Sequence, residues 1–348
     1  MPVILDRFRL LGASGLRVSP LSLGTMTFGT EWGWGTPKDE CRRIFDAYVE
    51  AGGNFVDTAN FYTGGTSESY LGEFIAGRRD SLVIASKYAL VMQPGDPNSG
   101  GSHRKNLTRS LDASLARLKL EAIDLYWVHA WDFTVPVDEV VRALDDAVRA
   151  GKILHAGVSN APAWVIARAH TLAELRGWSP FVATQVQYSL AERAIEREIG
   201  PACRDLGIAL VAWSPLAGGV LTGKYARADL GSGDALDQSL RQESNRKRAS
   251  ERNLAIVAVA ESVARECGRS AAQVAIRWVM QKPGVASVII GARTLAQLND
   301  NLAAATLELS PEQMKRLDEA SRIDPGYPHD YLRSPTVTRF LYGDANIE

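Results

Sequence analysis

Long apolar runs are what this 348-residue sequence most plainly lacks. A helix needs about 20 apolar residues to cross a bilayer, and no stretch approaches that. The opening "MPVILDRFRL" has no signal-like apolar segment with a small-residue cleavage site, so a cytoplasmic protein with no membrane partner is expected. An excess of one charge is missing too: Lys and Arg total 39 against 40 Asp and Glu, a formal charge of −1. That balance argues against a nucleic-acid or anionic-membrane surface. Cysteine is scarce. Cys41, Cys203 and Cys267 are odd in number, far apart and each within a helix-like segment, which argues against a disulfide framework or a metal cluster and predicts reduced thiols.

What is present is an ordinary globular composition, 46% hydrophobic and 23% charged, able to bury a large core. Eight short apolar runs end in small or polar residues: "LSLGT", "NFVDT", "LVIASK", "IDLYWVH", "ILHAGVSN", "FVATQ", "IALVAWSP" and "ASVIIGA". Between most of them the period becomes helical, as in "DECRRIFDAYVEAGG" and "PVDEVVRALDDAVRAG". Gly52, Gly151, Gly177 and Gly207 stand where helices should close, and Thr66 or Ser67 where the helix opened by "GGTSES" should be capped. Buried strands alternating with helices predict an α/β fold with an all-parallel sheet. Closure into a (β/α)8 TIM barrel removes both sheet edges, a doubly wound open sheet being the alternative.

One domain over residues 1–348 is expected. Its barrel bottom should be plugged by an N-terminal β-hairpin, "FRLLGASGLRVSPL". A polar flap containing "NRKRASE" separates the last two strands and leads into two helices, over 253–266 and 271–281. A capped C-terminal helix, "SPEQMKRLDEAS", precedes a tail from Arg322 onward that lacks a clear period and should wrap over the barrel.

In a parallel barrel, the carboxyl ends of the strands converge on one mouth. Asp57, Lys87, His129, Ser159 with Asn160, Gln185 and Ser214 each interrupt an apolar run at that end. A lysine between apolar neighbours needs a charge partner, and Asp57 on the adjacent strand is the natural one. Tyr62 beside such a lysine should have its phenol shifted down from about 10, making it a general acid. His129 can donate a hydrogen bond, and Phe28, Trp32, Trp34, Tyr88 and Trp131 are expected to wall an apolar pocket above it.

These residues carry a resemblance. The sequence resembles the aldo-keto reductases through "LGTMTFG", "GGNFVDTANFYTGGTSESYLG", "ASKY", "LARLKLEAIDLYWVHAWD", "TQVQYSL", "VAWSPLAGGVLTGKY" and "VIIGARTLAQLNDNL", in order along most of the chain. It looks most like bacterial members related to potassium-channel β-subunit-like reductases. The resemblance implies a barrel enzyme that reduces an aldehyde or ketone with NADP(H), or oxidises the alcohol, with Asp57, Tyr62, Lys87 and His129 as catalytic tetrad. Tyr62 would protonate the carbonyl oxygen, Lys87 and Asp57 would tune it, and His129 would orient the carbonyl.

For the cofactor, the resemblance implies Ser159, Asn160 and Gln185 on the nicotinamide carboxamide and Trp213 stacked on the ring. Ser214, Pro215, Leu216, Ala217, Gly218 and Lys224 would meet the pyrophosphate, with Gly24, Thr25, Met26 and Asp57 completing the inner wall. Gly291 and Arg293 stand at a predicted helix N-terminus, where an anion is favoured, which gives Arg293 the 2′-phosphate. Gln297 and Asn301 follow on the adenine side, and Arg248 of the flap is placed to reach a phosphate. Phe28, Trp32, Tyr62, Tyr88, His129 and Trp131 form the expected substrate wall, and no metal is expected.

Two other readings compete: a cofactor-binding regulatory subunit like those of potassium channels, and a barrel lyase or aldolase with a Schiff base on Lys87. A homo-oligomer is left open.

Overall fold

The computed structural model describes residues 5–224, 250–343 and 345. The eight apolar runs become eight parallel strands: β3 (Leu21–Gly24), β4 (Phe55–Asp57), β5 (Val83–Tyr88), β6 (Ile123–Val128), β7 (Ile153–Ser159), β8 (Phe181–Gln187), β9 (Ala209–Trp213) and β10 (Val285–Ile290). They close into a barrel in chain order, with β10 pairing β3. Helices α1 (Lys38–Glu50), α2 (Thr66–Phe74), α3 (Arg104–Leu118), α4 (Val137–Arg149), α5 (Ala163–Arg176) and α6 (Ile199–Asp205) follow successive strands. Then come α7 (Glu251–Cys267), α8 (Ala271–Met280), α9 (Leu295–Leu302) and α10 (Pro311–Ala320). The flap and Arg248 lie outside the described residues.

The hairpin expected ahead of the barrel is β1 (Arg9–Leu10) and β2 (Arg17–Val18), paired antiparallel. Its Leu11 and Val18 are fully buried and share a core with Phe55, Val83, Ala209 and Ala286, residues near the amino ends of the barrel strands. The plug thus fills the barrel's lower interior. Its turn needs glycine at position 12, where φ is +62° and a Cβ would stand 2.2 Å from the Val182 carbonyl oxygen.

Side chains alternate along each strand, so two cores form. On β5, Val83 and Ala85 point inward and Ile84 outward; on β6, Leu125 and Trp127 point inward and Tyr126 and Val128 outward. The outer core lies between barrel and helices. All three cysteines are free thiols, and among the described residues no metal-binding cluster and no helix long and apolar enough to cross a membrane occurs.

Two local expectations are corrected. Neither Thr66 nor Ser67 caps α2: its N-cap is Gly65, Thr66 bonds Glu31, and Ser67 donates to the Thr25 carbonyl at 2.8 Å. The oxygen that receives the Ser67 N–H, at 3.2 Å, is Thr63 Oγ1, because the preceding turn has already brought Thr63 over the helix start. The tail is also more regular than its sequence suggested. It forms α11 (His329–Leu332) and α12 (Pro335–Tyr342), with Ser334 Oγ accepting from Val337 N. Among the described residues, the tail meets the barrel on the α6 side, where Arg197 donates to the Asp324 carbonyl and His329 pairs with Glu198.

Candidate active site

Asp57 ends β4, and Lys87 lies on the neighbouring β5. Because Val83 and Ala85 face inward, period two carries Lys87 into the barrel as well. There it is fully buried, and its three N–H donors are all used. They reach Asp57 Oδ2 at 2.5 Å, the Thr58 carbonyl at 2.7 Å and Tyr62 Oη at 3.0 Å. Asp57 Oδ1 accepts from Gln185 Nε2 at 2.8 Å and Trp127 Nε1 at 3.1 Å. A buried ion pair is tolerable only when its remaining lone pairs and protons are satisfied, and this one meets that condition.

Tyr62 arrives on a tight turn, Tyr62–Gly65, in which Thr63, Gly64 and Gly65 have φ of 48°, 64° and 101°. Thr63 pins the turn by donating to the Phe28 carbonyl at 2.7 Å. Since Lys87 donates to the phenol oxygen, the phenol's own hydrogen is left for a ligand. His129 follows β6 with its ring at a right-angled approach to Tyr62, centroids 5.9 Å apart. Asn160 Nδ2 holds the His129 carbonyl at 2.9 Å.

Burial opposes the charge on Lys87, yet Asp57 and Tyr62 outweigh it and hold the ammonium above its ordinary value. Burial also pushes the Tyr62 phenol up; Lys87 pulls it back and Asp57 adds to the rise. The expected downward shift is therefore corrected: the cation is largely neutralised by its partner carboxylate, so it does not overcome desolvation. His129 is lowered to about 3 by burial and then by the Lys87 charge. It is neutral at physiological pH, and its Nδ1 is buried without a partner among the described residues, leaving Nε2 for a ligand.

The aromatic wall needs correction. Tyr88 is fully buried, stacked on Tyr126 at 5.4 Å and donating to the Ser102 carbonyl at 3.1 Å. Adjacent to inward-facing Lys87, it must face outward. Phe28 is likewise fully buried, edge-on to Phe74 of α2. Trp131 is only 8% exposed and packs in the outer core. Trp32 does stand at the phenol, its ring edge-on to Tyr62 at 6.4 Å, and it also meets Trp34 and Phe61. Phe61 was not singled out from the sequence, although its place next to Tyr62 could have suggested it.

The expected cofactor residues within the described part of the chain lie at or after the carboxyl ends of the strands. Met26 is 45% exposed, whereas Gly24 and Thr25 are buried, Thr25 sharing its hydroxyl with Ser67. Ser159 donates to the Gln185 carbonyl at 3.0 Å, and Asn160 Nδ2 reaches Ser159 Oγ at 2.9 Å. With Nε2 engaged by Asp57, Gln185 keeps its amide oxygen as an acceptor. Trp213 ends β9 half-buried, its Nε1 without a partner among the described residues.

After it, Ser214, Ala217, Gly218 and Gly219 all take positive φ, from 49° to 97°. Left-handed residues in such a loop turn backbone N–H groups toward one concavity, which suits an anion. Pro215 is buried and Leu216 packs on the core, so these two anchor the loop, and Lys224 folds back over Gly219. At the N-terminus of α9, Gln297 Oε1 accepts from Arg293 N at 2.9 Å and Asn301 Nδ2 donates to the Gly291 carbonyl at 3.2 Å. Arg293 itself is exposed. A concave N–H loop, a lysine and a helix N-terminus with an exposed arginine are a donor set that fits a phosphorylated dinucleotide.

A model of the aldo/keto reductase family matches residues 20–322. The chain is 37% identical to the norsolorinic acid reductase stcV of Emericella nidulans over 98% of its own length and 90% of that protein. It is equally similar, at 37%, to the aryl-alcohol dehydrogenase [NADP(+)] of Phanerodontia chrysosporium over 99% of this chain and 91% of that one. An aldo-keto reductase, ausK, of Aspergillus calidoustus is 33% identical over 95% of this chain.

Proposed function

The chain belongs to the aldo/keto reductase family, and on that premise we propose that it reduces an aryl aldehyde or ketone to the alcohol with NADPH, reversibly. The observation that carries the reading is Tyr62 Oη held 3.0 Å from a lysine that is itself locked to Asp57. NADP(H), when bound, supplies the hydride. Ser159, Asn160, Gln185 and Trp213 would hold its nicotinamide end; Met26, the 214–219 loop and Lys224 its middle; and Arg293, Gln297 and Asn301 its adenosine end.

Tyr62 gives its proton to the carbonyl oxygen, and the oxyanion character that develops on the phenol is stabilised by the adjacent Lys87 ammonium. Neutral His129 donates from Nε2 to the same oxygen and sets its direction. Trp32 beside the phenol, with Trp34 and Phe61 packed on it, offers flat apolar faces, which favours an aromatic substrate. The named relatives act in the same sense, as a reductase of norsolorinic acid and a dehydrogenase of aryl alcohols. We take the whole chain as one catalytic domain working in the cytoplasm.

A potassium-channel-like regulatory role has less support, since the relatives named above carry reductase or dehydrogenase names. A Schiff base on Lys87 is disfavoured because its ammonium is kept protonated and all three of its donors are engaged. The test follows NADPH consumption with a panel of aryl and alkyl aldehydes and ketones. Tyr62→Phe should lower kcat at least ~100-fold while leaving NADPH binding, read by fluorescence titration, nearly unchanged. Wild-type turnover no faster than the Phe variant sinks the reading.

A further inference from the structure

Trp127 lies in the run "IDLYWVH", where an aromatic residue reads as core filler. Its position is more specific than that. It points into the barrel at the level of the buried ion pair, because its register partner on β5 is Lys87 and its partner on β7 is Gly157. It is fully buried. A Cβ at Gly157 would lie 2.4 Å from the indole ring, so the slot that holds the ring exists only because residue 157 has no side chain. In that slot Nε1 is 3.1 Å from Asp57 Oδ1, the oxygen that Lys87 does not bond.

We propose that Trp127 is a positioning residue for the reaction: its indole N–H fixes the Asp57 carboxylate so that Lys87 stays aimed at Tyr62. The inference rests on the carbonyl-reductase reading above. Asp57 could otherwise rotate about Cβ–Cγ, since Lys87 restrains one oxygen and Gln185 alone would restrain the other. A donor aimed at a carboxylate favours its charged form. Without the indole donor, Asp57 draws harder on the Lys87 proton and leaves less positive charge beside the phenol. Core filling alone needs the ring but not its N–H, and that is where the two roles separate.

Trp127→Phe keeps a buried ring in the slot and removes the donor. The expected result is a fall in kcat of about tenfold, with a smaller change in KM and a melting temperature within a few degrees of wild type. In the alcohol-oxidation direction, the pH limb that reports the Tyr62–Lys87–Asp57 unit should move upward by ~0.5 or more. Unchanged kcat and an unchanged limb overturn the proposal, and so does a loss of activity with the limb unmoved, which marks a packing role. If the Phe variant does not fold, benzothienylalanine at position 127 preserves the two-ring shape without the N–H, and the same readouts decide. No NADPH-dependent turnover by the wild type sinks both readings; turnover with an indifferent Trp127→Phe sinks only this one.

Discussion

His129 shows how much one half-buried side chain can contribute without titrating near neutrality. Its value in the folded protein is about 3, against 6.5 ordinarily. Between those two pH values the unfolded chain takes up a proton that the folded chain refuses, so stability falls as pH drops from about 6.5 towards 3. His129→Gln lacks this contribution, and its urea midpoint should fall less than the wild type's between about pH 7 and about pH 4.5. Equal losses in the two proteins would contradict a neutral, desolvated His129. The same neutrality bears on catalysis, because a neutral ring can donate one hydrogen bond without competing with Tyr62 as proton source. The reduction rate should accordingly show no limb near the ordinary histidine value.

At the scale of elements, the contact between β6 and β7 is a demanding one, since Trp127 and Gly157 share one level of the barrel. Gly157→Ala places a methyl group 2.4 Å from the indole, and an interior already packed to native density accommodates such a group only by strain. The expected cost is ~1–3 kcal/mol, read as a lower urea midpoint at unchanged slope; a neutral outcome would show that the indole slot is looser than its geometry. The barrel itself was legible because each strand is an apolar run closed by a polar residue, and the convergence of Asp57, Lys87 and His129 on one mouth because all three fall at that closing position. Tyr88 was misread because position along β5 was weighed without its alternation: one residue from an inward lysine, it had to face the helices. Phe28 and the Thr63 contact to α2 depend on how a loop folds back, which no local pattern encodes. The Trp127 bond to Asp57 joins residues 70 positions apart, and a tryptophan in an apolar run carries no mark of what its N–H will meet.

Across the whole molecule, the mouth joins parts of the chain that are otherwise independent. The 214–219 loop follows β9, and the Arg293 segment follows β10 at the N-terminus of α9. A dinucleotide spanning them would bind the folded state alone, so cofactor affinity becomes stability by mass action, ~2.7 kcal/mol at a concentration 100 times Kd. Arg293 is exposed, and its backbone N–H is held by Gln297, which leaves the guanidinium as the part able to meet a further phosphate. Guanidinium groups pair with phosphate bidentately, and the helix N-terminus beneath adds to the attraction. At equal concentration, NADPH should therefore raise the melting temperature more than NADH. Arg293→Ala should weaken NADPH about tenfold or more and NADH less than about threefold, so that the two melting curves converge. The difference between cofactors should also shrink as salt is added, because an exposed ion pair is screened. Parallel loss for both cofactors would mean that Arg293 supports the fold of the α9 start and does not read the 2′-phosphate.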